Sequence, residues 1–192
     1  MNKDEVSRRL FLTKSFASLS AGWVASRWPE ILAAQEQAHR AAQSITPVEF
    51  VFFTPEQATE VEAIAAQIIP ADDTAGAREA HVVYFIDRAL ATFDADKQPL
   101  YAKGLKQIES KVRKSFLKKQ RFSDLTTAQQ IKLLKGIERS EFFLLVRMHT
   151  IMGYFANPEY GGNYDQSGWK AIGFEDQFFF NPPFGFYDHD YK

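Results

Sequence analysis

Apolar residues recur at helical spacing through the middle of the chain, in five stretches separated by turn-forming residues. The first opens on Thr54-Pro55-Glu56-Gln57, a capping threonine followed by proline at the first helical position and glutamine three residues after the cap. Val61, Ile64, Ala65 and Ile68 form its apolar face, and Pro70 stops it. After the turn-rich Ala71-Asp72-Asp73-Thr74-Ala75-Gly76-Ala77, a second face follows at Val82, Phe85, Ile86, Ala89, Leu90 and Phe93. A third stretch starts near Pro99 and repeats at Tyr101, Leu105, Ile108, Val112 and Phe116. Thr126 and Gln129 form another capping pair, with Ile131, Leu134 and Ile137 expected inside. The fifth, Glu141 to about Phe155, is apolar nearly all round, so it is expected to be the most buried.

Only Glu49 to Phe53 shows strand-like alternation, and no internal repeat appears. The last forty residues hold 13 of the 28 aromatic residues and six of the ten glycines, and helical periodicity stops there. The expected fold is therefore all-α, an irregular helical bundle with a long aromatic and glycine-rich C-terminal loop region. That region either wraps the bundle or docks on something else.

The N-terminus has a different logic. Ser7-Arg8-Arg9-Leu10-Phe11-Leu12 is followed by Lys14 and then by twelve uncharged residues, Ser15 to Ser26. Ser7, Arg8, Arg9, Phe11 and Leu12 match a twin-arginine export signal, with the lysine one place late. The uncharged run is too short for a bilayer span, which needs about 20 apolar residues. Leu32-Ala33-Ala34 is a loose small-x-small site. The expected organisation is a signal segment over residues 1–34, a linker over 35–49 and a helical domain over 50–192. The implied location is the periplasm, reached through the Tat translocase, which carries proteins already folded.

Composition narrows the chemistry. In 192 residues, 23 basic and 24 acidic side chains leave a formal net charge of -1, which gives no electrostatic case for nucleic acid. The charge is uneven: Lys97 to Arg121 contains nine bases and one acid. Its stripe of Lys111, Arg113, Lys114, Lys118, Lys119 and Arg121 reads as a solvated face or as a surface for a membrane or an acidic partner. With no cysteine, the chain cannot form disulfides, thiolate metal sites or the usual attachment of c-type haem.

Two blocks carry a resemblance. The first is Ile69-Pro70-Ala71-Asp72, Gly76-Ala77 and Phe85-Ile86-Asp87. The second is Gly153-Tyr154-Phe155-Ala156-Asn157-Pro158-Glu159-Tyr160-Gly161-Gly162-Asn163 with Gly168-Trp169-Lys170-Ala171-Ile172-Gly173-Phe174. Together they resemble the gluconate 2-dehydrogenase subunit 3 family over roughly residues 50–175. The resemblance implies a non-catalytic small subunit that escorts and stabilises a flavoprotein of the glucose-methanol-choline oxidoreductase type. FAD would sit in that large subunit, and haem c in a multihaem cytochrome subunit. The small subunit would supply the export signal and remain associated with the inner membrane through the complex.

Site chemistry read from the residues alone is sparse. His39, His81, His149 and His189 are the candidates for a general base or haem ligation, but no His-x-x-x-His or His-x-x-Glu pair occurs. His81 and His149 read more simply as helix residues, His149 hydrogen-bonded within the bundle. Asp72, Asp73 and Asp87 offer carboxylates, with Asp72 placed to cap a turn and Asp87 to meet either a base three or four residues away or another element. Gly161-Gly162-Asn163 suits a tight turn with positive backbone φ. Tyr154, Phe155, Pro158, Tyr160, Gly161, Gly162, Asn163, Trp169 and Phe174 are the expected partner interface. The same aromatics could stack a sugar, and an independent exported enzyme or a sugar-binding module is the alternative reading.

Overall fold

A computed structural model describes residues 49–177 apart from Leu117, together with Pro29. Six α-helices lie between Pro55 and Ile172: α1 (Pro55–Ile68), α2 (Val82–Ala91), α3 (Gln98–Ser115), α4 (Thr127–Lys135), α5 (Glu141–Phe155) and α6 (Ser167–Ile172). No strand occurs among the described residues. The fold is the expected all-α irregular bundle. No helix among the described residues is long and apolar enough to cross a membrane.

Local chemistry sets the helix starts. Thr54 and Gln57 form a reciprocal capping box on α1, as Thr126 and Gln129 do on α4. Ser140 caps α5 by accepting from the Phe143 amide at 3.2 Å. Helix α5 is the axis of the bundle: α2 and α1 pack along it, and α3 crosses it where Gly104 meets Phe142. A Cβ at Gly104 would collide with the Phe142 ring, so this crossing requires glycine.

Two buried or half-buried carboxylates tie irregular backbone to this core. Residues 49–53 form no strand. Instead the Val51, Phe52 and Phe53 amides donate to the Asp87 carboxylate at 2.7, 3.0 and 2.8 Å. Asp87 on α2 is fully buried, so the expectation that it meets another element holds, with backbone rather than a base as the partner. Glu60 on α1 likewise accepts from the Phe122 amide at 2.8 Å and the Ser123 amide at 3.2 Å. These clamps give irregular backbone the hydrogen bonds that a sheet would otherwise supply.

Four expectations need correction. Helix α5 is central but not the most buried: nine of its 15 residues are buried against eight of the ten in α2, because its first turns face solvent at Leu144, 48% exposed. Ile131 points outward at 40% exposure, and Ile137 lies beyond the end of α4. Leu134 is buried as expected, but the residues buried with it are Leu133 and Gln130, which accepts from Gln67 at 2.7 Å and donates to the Phe122 carbonyl at 3.0 Å. His81 precedes α2 in a left-handed backbone conformation, φ 56°, rather than lying within it. The C-terminal region is not wholly irregular. It holds short 3-10 turns at Pro158–Tyr160 and Tyr164–Gln166, followed by α6.

Candidate functional site

The two sequence blocks meet in space, forming a clasp over the C-terminal end of α5. The last turn of any helix leaves carbonyls without intrahelical partners, and here side chains from the returning segment take two of them. Asn163 Nδ2 donates to the Ala156 carbonyl at 2.8 Å, and Trp169 Nε1 to that of Phe155 at 2.9 Å. Asn163 Oδ1 accepts from the Gly168 amide at 2.7 Å, so one fully buried side chain joins the end of α5 to the start of α6. The clasp also grips the first block: Tyr154 Oη donates to the Ala75 carbonyl at 2.6 Å, and the Tyr164 amide to that of Ala80 at 3.0 Å. His81 stacks on Tyr164 with ring centroids 4.3 Å apart.

Glycines permit this closeness. Gly162 lies against the backbone of Gly153, and Gly168 against that of Tyr154, with no room for a Cβ at either. Gly161 has the positive φ expected for it, 96°, and Asn163 shares that property at 48°. Gly162 does not: its requirement is space. Helix α6 ends in a Schellman motif, with Gly173 left-handed, its amide donating to the Lys170 carbonyl and the Phe174 amide to that of Trp169. Phe174 then packs edge-on against Trp169, 5.2 Å between centroids, the hydrophobic contact usual in that motif.

The expected interface residues therefore divide. Tyr154, Phe155, Gly162 and Asn163 are buried within the chain itself and offer little surface for contact. Pro158, Tyr160, Gly161 and Trp169 are half-buried. Phe174 is exposed, and Tyr164 and Ile172 present 59% and 45% of their surfaces to solvent. Under Gly161 lies Arg88, which donates to the Tyr84 carbonyl at 3.0 Å and sits 5.8 Å from the Tyr84 ring centroid. Its burial lowers its proton affinity, partly opposed by neighbouring Asp87.

A second polar cluster lies deep in the bundle. Tyr101 Oη is 2.9 Å from His149 Nδ1, and His149 Nε2 is 2.9 Å from Asp94 Oδ2. With a carboxylate at Asp94 and a neutral imidazole, Nε2 would donate to Asp94 and Nδ1 would accept from the phenol. All three residues are buried, and Phe142 closes edge-on over Tyr101. The row of groups resembles a proton relay, but its burial leaves no substrate access, and its evident work is to join α3, α5 and the turn after α2. The spacing of 55 residues between Asp94 and His149 offered no local pattern from which to find it.

Burial, reinforced by the Asp94 charge, holds the Tyr101 phenol well above its ordinary value of 10.0. The native chain thus keeps this proton after the unfolded chain has released it, so stability falls as pH rises above about 10. Tyr101→Phe should cost about 1–2 kcal/mol at pH 8, by leaving His149 Nδ1 unsatisfied. The gap between wild type and variant should narrow at pH 10.5 in urea titrations. A gap independent of pH would show that the phenol is not held neutral.

The remaining candidates stay apart. Asp72 caps its own turn, accepting from the Thr74 amide at 2.9 Å, and takes no part in a carboxylate pair with Asp87. No group of three or more His, Asp or Glu side chains is placed to hold a metal among the described residues. Ser7, Arg8, Arg9, Phe11 and Leu12, the linker up to residue 48, His39 and His189 lie outside the described residues. No curated protein and no solved structure matches the chain. Residues 55–176, from the first residue of α1 to just past the clasp, match the family described as gluconate 2-dehydrogenase subunit 3. The chain belongs to that family, and its place is that of an accessory subunit in a dehydrogenase complex.

Proposed function

We propose that this chain escorts a flavin-dependent dehydrogenase subunit of the glucose-methanol-choline oxidoreductase type through twin-arginine export and stays bound to it in the periplasm. The observation that carries the reading is the family match across the whole described bundle. Arg8 and Arg9 supply the address for the pair. The flavoprotein takes up FAD in the cytoplasm, binds this chain and is exported folded; a multihaem cytochrome c subunit then receives its electrons. This chain's own part is association. Tyr164, Ile172 and Phe174, exposed on the rigid clasp, give up water-accessible apolar surface to the partner, a gain of about 25 cal/mol for each Å² buried.

Affinity purification of a tagged chain from its host tests this reading, with wild type compared against Arg8→Lys plus Arg9→Lys. A yellow, FAD-containing partner should accompany both chains, while only the wild-type pair reaches the periplasm. A chain that is exported alone and colourless would overturn the proposal.

A further inference from the structure

At the end of α5 opposite the clasp, a groove of about 550 Å³ opens between the end of α1, α4 and the start of α5. Its floor is apolar, built from Ile68, Leu134 and Phe143, with the exposed Ile131 at its lip. Its rim carries Lys135, Arg139 and Arg147 against one acid, Glu138. Both walls repeat the same order at a spacing of four residues: Ile131 then Lys135 on α4, Phe143 then Arg147 on α5. An occupant touching both walls meets apolar surface flanked by positive charge. Lys135, Glu138 and Arg139 stand on exposed, flexible stems, which suits an extended acidic surface rather than a small anion needing fixed donors.

We infer that this groove docks an acidic amphipathic helix of the flavoprotein subunit, its apolar side chains on Phe143 and Ile131 and its carboxylates on the Lys135–Arg139–Arg147 rim. The inference rests on the escort reading and adds a second point of attachment to it. Charge complementarity argues for an acidic partner, and the paired rows argue for a helix lying in a groove. From the groove residues Phe143 and Arg147 to Phe155 at the clasp, a rise of about 1.5 Å per residue sets the two roughly 12–18 Å apart along α5. A partner holding both ends would grip the bundle along its length. Loss of the groove contact should then weaken the complex without abolishing it.

The full chain, co-expressed with its flavoprotein, provides the test. A photo-crosslinking p-benzoylphenylalanine is placed at Ile131, with a control at the exposed Lys106 on α3. The expected result is a crosslink from position 131, and not from 106, to an acid-rich helical peptide of the flavoprotein. Lys135→Glu plus Arg139→Glu should weaken the complex about tenfold, and wild-type binding should fall with added salt. Unchanged thermal melting of the double variant would show that its fold is retained. Crosslinks to residues 178–192 of this chain or to a second copy would overturn the inference. So would a double variant that binds as wild type does, leaving the escort reading intact. Failure of the wild-type chain to form any complex would sink both.

Discussion

Asp87→Ala is expected to destabilise the fold by about 3 kcal/mol or more, a large share of the ~5–15 kcal/mol that holds a domain together. The carboxylate is fully buried and accepts three amides; its removal leaves the Phe53 amide buried without an acceptor. It also frees a segment whose aromatics are part of the core: Phe50 stacks on Tyr84 at 4.9 Å, and Phe53 lies 5.9 Å from Tyr101. Asp87→Asn separates bonding from charge. Oδ1 accepts from both Phe52 and Phe53, whereas Oδ2 serves only the exposed Val51 amide. An asparagine keeping its oxygen at the first position should therefore lose about 1 kcal/mol. Denaturant unfolding, with hydrogen exchange at residues 51–53, reads both. Equal losses in the two variants would mean that the charge, not the acceptor geometry, matters.

How much of this was legible in the sequence depends on the range of the interaction. Thr54–Gln57 and Thr126–Gln129 were readable because a capping box is complete within four residues. Helix α5 was readable because its long apolar run admits only a central position. Ile131 misled because α4 is short: the alternation of apolar positions does not say which neighbour covers them, and Gln130 is buried through contacts to Gln67 and Phe122 that have no local trace. The Asp87 clamp and the Tyr101–His149–Asp94 chain span 34 to 55 residues and were equally silent as geometry. The C-terminal helix did leave a signal. Gly173-Phe174 after Trp169 is the Schellman pattern, but six residues are too few for periodicity to register. The second block thus owes much of its glycine and asparagine to closing the fold, and only its outward aromatics remain for a partner.

That division makes Gly168→Ala the sharpest test of the clasp. By propensity alone the change should help, since alanine is favoured over glycine within a helix by about 1 kcal/mol. Packing predicts the opposite sign. The added Cβ would collide with the Tyr154 carbonyl oxygen, a backbone atom of the central helix, which cannot move aside as a flexible side chain does. We expect a net loss of about 2–3 kcal/mol, at the upper end of overpacking costs because backbone must yield. Gly136→Ala is the matched control. Its Cβ would meet nothing nearer than the Leu133 carbonyl at 3.3 Å, and its φ of -72° suits alanine, so that variant should be neutral or slightly stabilised. In a chain lacking Trp23 and Trp28, Trp169 fluorescence reports whether α6 has lifted from Phe155. If Gly168→Ala raised stability, α6 would not be seated on α5, and the exposed surfaces of Tyr164, Ile172 and Phe174 would lose their fixed geometry. If stability falls with a red-shifted Trp169, the escort proposal expects binding of the flavoprotein to fall with it, because Tyr164, Ile172 and Phe174 ride on the same clasp.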